Sequence, residues 1–501
     1  MSDRGSRAAL LALGLERQAA APLQRQLYDQ LREAVLAGRL APGTRLPATR
    51  SLARELDCSR NTVVAAVEQL VAEGYLEGRI GSGTYVSGVL PEELLSAKRR
   101  VGAAPKAPAA DRRLSARGRA LAEVIVERPP RHKAFVPGLA DTSAFPFDLW
   151  GRALARAWRQ PPRALLSHGD PGGYLPLRRA IVAYLKAVRA VDCTPEQVII
   201  TSGAQQALDL AARVLLEPGD SVWLEEPGYP GLRGPLVANG ARLVPVPVDA
   251  EGLSVEAGRR LAPAARMAVV TPSHQYPLGI TMTLARRLAL LDWARSSGAW
   301  ILEDDFDSEY RYAGRPLAAL QGLDAAEGQG SVLYVGSFSK VLFPSLRLGY
   351  LVVPPGLAAP IARARAAIDD HPSAIVQPAL TAFIEEGHFA AHVRRMRGLY
   401  KERQARLIAA LERELGGRLS AAPDAAGMHL VAGLGPELAA RFSDRDLEAR
   451  AAAGGVTAFA LSSFFLGRPR REGLLLGYAA LTGAEIDAGA KRLAAAIDGS
   501  G

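Results

Sequence analysis

The chain has 501 residues, of which 49% are hydrophobic and 22% are charged, and it carries a formal net charge of +10. This composition is ordinary for a soluble globular protein, and the length predicts two to four domains at roughly 100–200 residues each. No apolar run approaches the ~18 residues that a membrane-spanning helix needs, so we expect no membrane partner. Cys58 and Cys193 lie far apart and predict neither a disulfide framework nor a zinc site, so we expect no metal and a cytoplasmic location.

Residues 1–88 predict three helices followed by a β-hairpin. Apolar residues recur at helical spacing in "PLQRQLYDQLREAVL", which begins at Pro22. The stretch "TRSLARELDCSRNTVVAAVEQLVAEG" predicts a short helix, a turn at residues 57–59 and a longer helix that ends at Gly74. The apolar residues of the longer helix are expected in the core: Val63, Val64, Val67 and Leu70. The stretch "YLEGRIGSGTYVS" adds two short strands, and together these elements predict a winged helix-turn-helix domain.

The stretch "LPATRSLARELDCSRNTVVAAVEQLVAEGYLEGRIGSGTYV" resembles the DNA-binding domain of GntR-family regulators over its whole length. In such a domain the second helix of the motif enters the major groove of double-stranded DNA by its N-terminal residues. The resemblance therefore implies base contacts from four residues: Ser59, Arg60, Asn61 and Thr62. Ser59 also suits the N-cap of the helix, and the guanidinium of Arg60 can form bidentate hydrogen bonds with guanine or with phosphate.

Other residues of this domain predict contacts to the DNA backbone. Arg45 and Arg50 are better placed for phosphates than for bases. Gly81 and Gly83 tolerate a positive φ, so they let the tip of the wing turn sharply and approach a backbone closely.

Residues 89–133 predict a basic, flexible linker. The part from Pro91 to Lys133 carries eleven lysine and arginine side chains against five acidic ones, and it is rich in alanine and proline. Its positive charge leaves two interpretations open. The linker either contacts a polyanion or is only a solvated tether between the domains.

Short apolar strands alternate with helical segments over residues 134–501. The strand-like segments are "QVIITSG", "SVWLEEP", "RMAVVTP", "AWILEDD" and "VLYVGS", and the clearest helical ones are "AQQALDLAARVLL" and "LARRLALLDWARS". This alternation predicts an α/β domain with a mainly parallel sheet that helices cover on both faces. Ligands in such folds bind at the carboxyl ends of the strands, so the residues that follow each strand are the candidates for chemistry.

The stretch "GSFSKVLFPSLRLGY" places Lys340 between Ser337 and Arg347 after one of these strands. A lysine there is often a solvated loop end, but a lysine amine also forms an imine with an aldehyde cofactor. Pyridoxal 5'-phosphate (PLP) needs such a lysine, an acidic partner for its ring nitrogen and a cradle for its phosphate. Asp304 ends a buried strand, where an unpaired carboxylate is costly, and it fits the acidic partner.

Candidates for the phosphate cradle and the ring face lie at the other strand ends. The backbone N–H groups of Ala204 and Gln205, which open a helix, suit a phosphate. Ser337 and Arg347 can complete the cradle, and the planar guanidinium of Arg347 can donate two hydrogen bonds to the phosphate. Tyr229 can stack on the cofactor ring.

The order and spacing of these residues resemble the fold-type I aminotransferases over nearly all of residues 134–501. The resemblance implies that Lys340 is the PLP Schiff-base lysine and that Asp304 contacts the ring nitrogen. It also implies a smaller C-terminal α/β subdomain over about residues 386–501. The residues implied in phosphate contact are Gln205, Ser337 and Arg347.

A GntR-type winged helix joined through a linker to such a domain resembles the MocR subfamily of bacterial regulators. The segments "TPSHQYPLG" and "EDDFDSEYRY" also resemble those of that subfamily. The resemblance implies a homodimer with attached DNA-binding domains, and PLP or an amino compound as effector. We therefore predict a PLP-dependent, DNA-binding transcriptional regulator. The alternative is an active aminotransferase that carries a DNA-binding domain, and partial chemistry of the aminotransferase type is compatible with either.

The chain departs from the enzyme pattern at three places. Leu475 stands near the position of the arginine that binds the substrate carboxylate in the enzymes. Three nearby arginines are expected in a solvated loop: Arg468, Arg470 and Arg471. His168 stands where the enzymes often carry a tyrosine that reaches the phosphate bound by the partner subunit, and it can still donate a hydrogen bond.

At the third place Tyr276 replaces an asparagine that precedes a proline in the enzymes, and Phe306 replaces a tyrosine that is common in the subfamily. Both positions normally serve the phenolic oxygen of PLP, so we predict that the Tyr276 hydroxyl supplies this hydrogen bond here. The open alternative is that Tyr276 points into the substrate pocket.

Overall fold

The computed structural model describes residues 13–17, 19–79, 82–89, 114–124, 134–159, 161–314, 317–326 and 330–499. The chain divides into two compact units, residues 1–112 and residues 113–501. Within the described ranges no helix is long and apolar enough to cross a membrane.

The first unit contains three helices and a two-stranded sheet. Its elements are α1 (Leu23–Leu36), α2 (Thr49–Glu55), α3 (Arg60–Ala72), β1 (Leu76–Arg79) and β2 (Gly83–Val86). The two strands pair antiparallel, with Leu76 opposite Val86. Asp57 adopts a left-handed backbone conformation with a φ of 46° in the turn between α2 and α3, a conformation that Asp tolerates better than most residues. The predicted winged helix-turn-helix is confirmed.

One apolar core joins the helices of this unit. Leu31 of α1, Leu52 of α2 and Val63 of α3 are each almost inaccessible to solvent. Burial of one such side chain contributes about 1.5–3 kcal/mol, so these contacts hold α3 in place against α1 and α2. Val64, which we predicted in the core, is only half-buried, because the buried face of α3 runs through Val63 and Leu70 and Val64 lies to one side of it.

The second unit begins with a short helix inside the predicted linker. Helix α4 (Ala116–Glu123) contacts the rest of the unit, and Arg117 donates a hydrogen bond to the carbonyl of Ala238 at 3.4 Å. The prediction of a flexible linker does not hold for this segment, because the alanines that suggested a tether also favour a helix. Residues 90–113 and 125–133 of the predicted linker lie outside the described residues.

An eight-stranded sheet forms the centre of the second unit. Its strands are β3 (Val198–Thr201), β4 (Ser221–Glu226), β5 (Arg242–Asp249), β6 (Gly252–Leu253), β7 (Met267–Val270), β8 (Trp300–Asp305), β9 (Val332–Ser337) and β10 (Gly349–Val352). Their spatial order is β3-β10-β9-β8-β7-β4-β5-β6. The strands from β9 to β5 in this order run parallel, whereas β10 and β6 pair antiparallel with their neighbours. The predicted mainly parallel sheet is confirmed.

Helices cover both faces of this sheet. The helices of this part are α5 (Phe147–Arg159), α6 (Leu175–Arg189), α7 (Ala204–Leu215), α8 (Arg233–Ala238), α9 (Val255–Leu261), α10 (Leu284–Ser297), α11 (Leu320–Ala326), α12 (Phe338–Val341), α13 (Pro355–Asp369) and α14 (Gln377–Glu385). Successive strand residues point to opposite faces, so Leu224 and Trp223 of β4 enter different cores. Leu224 packs with Leu208 of α7 and Ile361 of α13, and Trp223 packs with Leu291 of α10.

A second, smaller sheet lies in the C-terminal part of the unit. It consists of β11 (Leu419–Ser420), β12 (His429–Leu434), β13 (Phe459–Ala460) and β14 (Leu474–Gly477), and the helices there are α15 (His388–Leu415), α16 (Pro436–Arg441), α17 (Asp444–Ala453) and α18 (Gly483–Asp498). The strand order is β11-β12-β14-β13, and all pairs are antiparallel. Leu430 and Leu476 pack with Leu411 of α15 and Leu493 of α18 in one core.

Candidate cofactor site and DNA-binding surface

The carboxyl edge of the large sheet brings the predicted cofactor residues together. Strands β8 and β9 run parallel with Asp304 opposite Val335, so Asp304 and Ser337 both lie at this edge. Helix α12 starts directly after β9, and Ser337 caps it by accepting a hydrogen bond from the backbone N–H of Ser339 at 3.2 Å. This short strand-to-helix turn fixes the position of Lys340.

The surroundings of Lys340 suit an amine that must act as a nucleophile. Its Nζ donates a hydrogen bond to the backbone carbonyl of Gly138 at 2.8 Å. Burial lowers the pKa of Lys340 below its ordinary value, and the carboxylates of Asp307 and Asp304 only partly oppose this effect. More of the amine is therefore unprotonated at neutral pH, and the unprotonated form is the one that attacks an aldehyde.

Asp304 is a buried carboxylate whose Oδ1 lacks a partner. This atom is shielded from solvent and accepts no hydrogen bond from any of the described residues. Burial raises the pKa of Asp304 to about 7, and the neighbouring carboxyls of Asp305 and Glu225 add to the effect. An unsatisfied buried carboxylate is costly, so the position favours a ligand that presents a cation or an N–H group. A protonated pyridine nitrogen fits that requirement.

Groups that suit an anion lie together where α7 begins. Gly203 caps the helix with a φ of 100°, and the N–H groups of Ala204 and Gln205 have no acceptor within the helix. The guanidinium of Arg347 lies against Gly203, since a side-chain carbon at that glycine would stand 3.4 Å from its Nη1. A cation beside the positive end of a helix is unfavourable without an anion nearby, so this arrangement fits a phosphate.

Two side chains refine the predicted cradle. The side-chain amide of Gln205 donates to the carbonyl of Gly231 at 3.0 Å, which leaves the backbone N–H of Gln205 as the group available to an anion. Ser339 is a candidate that the sequence analysis missed. Its buried hydroxyl has no hydrogen-bond partner among the described residues, and it lies next to Lys340. The second serine of "SFSK" was the signal that could have identified it.

Three aromatic residues that follow neighbouring strands pack on one another. Tyr276, after β7, meets Tyr229 and Phe306 edge-to-face, with ring centroids 5.5 Å and 5.8 Å away respectively. Tyr229 is 38% exposed, which leaves part of its ring accessible to a ligand. Burial raises the pKa of Tyr276 above its ordinary value, so its hydroxyl stays protonated and can donate a hydrogen bond. The rings of Tyr276 and Phe306 are in contact, and the hydrogen bond from Tyr276 to PLP stays a prediction.

A buried histidine that the sequence analysis missed joins this edge to the small sheet. The Nδ1 of His274 lies 3.0 Å from Oδ2 of Asp307, and its Nε2 lies 3.1 Å from Oδ2 of Asp424. Burial alone would lower the pKa of His274, but the two carboxylates outweigh it and raise the pKa to about 10. The protonated ring donates to both acids. No sequence signal pairs His274 with Asp424, because the two are 150 residues apart.

His168 lies on the surface beside two other polar residues. Its side chain is 92% exposed, and its Nδ1 lies 2.8 Å from Oδ2 of Asp370. His371 joins the pair, and the ligand-capable atoms of all three residues lie within 4.8 Å of one another. Our prediction that the chain holds no metal stays a prediction at this group. The exposure of His168 is what a contact with a partner subunit requires.

The position that the enzymes use for a carboxylate-binding arginine is apolar in this chain. Leu475 is inaccessible to solvent and packs in one cluster with Phe464 and Tyr276. The three arginines of the nearby loop are exposed, as predicted: Arg468, Arg470 and Arg471.

Helix α3 of the first unit presents polar residues at its N-terminus. Ser59 caps the helix by accepting a hydrogen bond from the backbone N–H of Thr62 at 3.1 Å, and the two hydroxyls lie 2.9 Å apart. Arg60 and Asn61 are exposed beside this cap, and Arg50 is exposed on α2. Arg60 and Asn61 take no part in this cap, and the predicted base contacts of all four residues stay a prediction.

The wing carries two arginines. Arg45 forms a β-bridge with Tyr85, and its Nε lies 3.1 Å from where a side-chain carbon on Gly83 would stand. Gly83 has a φ of 113°, which only glycine adopts readily. Arg79, which the sequence analysis did not select, lies over the ring of Tyr85 at 4.6 Å from its centroid. Gly81 lies outside the described residues.

Comparisons with known proteins match both predicted domains. Residues 140–493 match the family "Aminotransferase class I and II", and residues 23–86 match "Bacterial regulatory proteins, gntR family". The chain is 46% identical over 471 residues to the "Probable rhizopine catabolism regulatory protein MocR" of Rhizobium meliloti, covering 94% of this chain and 92% of that protein. It is 35% identical over 380 residues to the "HTH-type pyridoxine biosynthesis transcriptional regulator PdxR" of Corynebacterium glutamicum, covering 76% and 77% of the two chains.

A similar solved structure is that of LysN, the α-aminoadipate aminotransferase of Thermus thermophilus, complexed with N-(5'-phosphopyridoxyl)-L-leucine. The match has a TM-score of 0.66 and 30% sequence identity, and it covers 77% of this chain and 95% of that one. Fold and site together define a DNA-binding transcriptional regulator with an aminotransferase-like domain whose cofactor is PLP. Within that class, the chain belongs to the MocR subfamily of GntR-type regulators.

Proposed function

We propose that this regulator senses PLP or a small amino compound at Lys340 and that occupancy of this site changes its affinity for promoter DNA. The buried, unpartnered Oδ1 of Asp304 carries the proposal, because such an atom in a folded protein indicates a ligand that completes it. Lys340 would hold PLP covalently, and Asp304 would pair with its ring nitrogen. The groups that would hold the phosphate are the backbone N–H groups of Ala204 and Gln205 and the side chains of Ser337, Ser339 and Arg347. When bound, PLP supplies an aldehyde carbon that reacts with amines.

Coupling between the two sites requires that the ligand binds more tightly to one arrangement of the protein than to another. By linkage, the same difference in free energy must reappear as a change in DNA affinity. We assign DNA binding to residues 1–88 and ligand sensing to residues 134–501, and we place the protein in the cytoplasm, where promoter DNA is accessible.

We also propose that the regulator is a homodimer. Two large apolar side chains near His168 and its acid partner are unusually exposed, Leu166 at 65% and Ile375 at 51%. A second copy of the chain would cover these exposed apolar side chains. His168 would then reach the phosphate bound by the partner subunit. Light scattering should give the mass of a dimer, and a monomer that still binds PLP at full affinity would contradict this proposal.

The test of the sensing function is a DNA-binding titration with and without PLP, followed by addition of amines. Wild-type protein should change its affinity for its own promoter fragment when PLP or an amine is added. Lys340→Ala should lose this response, whereas Lys401→Ala, which removes an exposed lysine of α15, should keep it. The proposal would be overturned if the DNA affinity of the wild-type protein were the same with and without PLP and amines.

The retained Lys340 and Asp304 also favour a second candidate, turnover as an aminotransferase. The apolar Leu475 disfavours it, since an α-amino acid would find no arginine there for its carboxylate. Steady-state transfer of an amino group to a keto acid, measured on PLP-loaded protein, decides between the two. Sustained turnover, together with a DNA affinity that does not change when PLP or amines are added, would establish that the protein is an aminotransferase instead.

A further inference from the structure

One face of the small sheet forms a wall of the cofactor site. In the register of β12 and β14, His429 stands opposite Gly477 and Val431 stands opposite Leu475. Because side chains alternate along a strand, His429, Val431 and Leu475 lie on the same face. Val431 and Leu475 pack with Tyr276, and the rings of His429 and Tyr276 lie 5.0 Å apart. The charge of Lys340 also acts on His429, so this face lies within electrostatic reach of the predicted Schiff-base lysine.

This wall offers no cation to a carboxylate. Leu475 is inaccessible to solvent, and the arginines of the loop before β14 are all exposed. His274 is protonated, but both of its nitrogens are occupied by Asp307 and Asp424. Arg233 lies near the cluster, where it donates to the carbonyl of Phe464 at 2.9 Å and already has the carboxylate of Glu226 beside its charge. A carboxylate buried against Leu475 would lose its hydration without gaining a partner.

The same wall offers one unsatisfied hydrogen-bond acceptor. His429 is 1% exposed, and its Nε2 lies 3.2 Å from the carbonyl of Pro277, which can only accept, so Nε2 carries the hydrogen. Burial lowers the pKa of His429 to about 3, and the positive charge of His274 adds to the effect, so the ring is neutral. Nδ1 then carries no hydrogen and can only accept a hydrogen bond, and it has no hydrogen-bond partner among the described residues. Such an atom requires an O–H or N–H donor.

We propose that the site takes small amines that carry a hydroxyl in place of the α-carboxylate, and that Nδ1 of His429 accepts a hydrogen bond from this hydroxyl. The inference rests on the proposed function, because the amine is expected to bind beside PLP. Leu475 and His429 act together in this scheme. Leu475 disfavours amino acids because it leaves their carboxylate unpaired. His429 favours hydroxylated amines because their hydroxyl satisfies its buried acceptor.

Three matched probes test this specificity on the PLP-loaded protein by calorimetric titration. Serinol carries two hydroxymethyl groups on its amine-bearing carbon, serine carries a carboxylate in place of one of them, and isopropylamine carries methyl groups only. Serinol should bind most tightly, about five- to tenfold better than isopropylamine, which is the value of one neutral hydrogen bond. Serine should bind least tightly. A serine affinity equal to or above that of serinol overturns the proposal.

Two variants assign the preference to the wall. His429→Phe keeps a ring against Tyr276, and it should abolish the advantage of serinol over isopropylamine. Leu475→Arg should raise serine affinity at least tenfold, with Leu475→Met as the control for a change of shape. If Leu475→Arg does not fold, the ranking on the wild type and the His429 variant still decides. An unchanged serinol advantage in His429→Phe, or a serine preference that Arg233→Gln removes, contradicts the assignment.

Absorbance of bound PLP, recorded before each titration, separates this inference from the proposed function. Protein that does not retain PLP contradicts the proposed function and with it this inference. Protein that retains PLP but prefers serine, or binds none of the three probes, contradicts the inference alone.

Discussion

Replacement of Tyr276 by phenylalanine should weaken PLP binding through the loss of a single hydroxyl. The ring of Tyr276 lies edge-to-face with Tyr229, Phe306 and His429, and phenylalanine preserves all of these contacts. The described residues form no hydrogen bond with the Tyr276 hydroxyl, so the substitution breaks none among them. What remains to be lost is the bond that we predict to the phenolic oxygen of PLP.

That oxygen carries much of the negative charge of the cofactor ring, so the bond is charge-assisted and contributes roughly 1.5–3 kcal/mol. Tyr276→Phe should therefore raise the dissociation constant of PLP about ten- to a hundredfold. Titration of cofactor-free protein with PLP, followed by absorbance, measures this constant directly. The same spectra should show a shifted band in the variant, because the hydrogen bond also sets the charge distribution of the ring.

The exchange variant is the control for this reasoning. Phe306 lies 5.8 Å from Tyr276 between ring centroids, so a hydroxyl placed there should serve the same oxygen. Tyr276→Phe combined with Phe306→Tyr should recover most of the lost affinity. An unchanged affinity and spectrum in Tyr276→Phe would refute the argument. A change confined to amine binding would instead support the alternative, in which Tyr276 points into the substrate pocket.

Three further predictions follow from the same structure. Lys340→Ala should remain folded by circular dichroism but lose the visible absorption band of bound PLP, and any PLP that borohydride still fixes to this variant would rule out the assignment. Arg60→Ala should cost about 1–3 kcal/mol on the specific operator and relax sequence preference, whereas Arg50→Ala should weaken all DNA similarly and flatten the salt dependence; unchanged operator discrimination in a shift assay of Arg60→Ala would show that the helix is wrongly placed. The pKa of His274 is raised from 6.5 to about 10, so its ion pair with Asp307 stabilises the fold fully below about pH 6.5 and is lost as the pH rises through about 10. Urea unfolding should accordingly show stability falling over this range, and a His274→Gln variant with the same pH dependence would contradict the role of the pair.

The amino-acid sequence determines the features that depend on neighbours along the chain. Ser337, Lys340 and Arg347 all lie in the short segment between the end of β9 and the start of β10, so their spacing is visible in the sequence without long-range information. Helix α3 is predicted for the same reason, since its cap at Ser59 and its apolar period lie within a few turns. The alternation of strands and helices predicts the mainly parallel sheet, because parallel strands need crossover connections and the helices supply them.

Composition proved less reliable than periodicity. The alanine-rich segment around Arg117 was expected to be a flexible linker, and part of it forms a helix that contacts Ala238. Alanine is compatible with both states, and packing against another helix decides between them.

Tertiary structure alone decides which distant residues meet and which polar atoms remain unsatisfied. Asp304 follows from a strand ending, but the missing partner of its Oδ1 becomes visible only when the buried surroundings are known. The contact of His274 with Asp424 joins loops from two different sheets. The register of β12 and β14 places His429, whose buried Nδ1 has no partner among the described residues, on the same face as Leu475. A sequence determines the order and spacing of side chains along the chain. Burial and hydrogen bonding between its distant parts arise from packing in three dimensions, and these set the pKa values and the unmet hydrogen bonds from which the ligand is inferred.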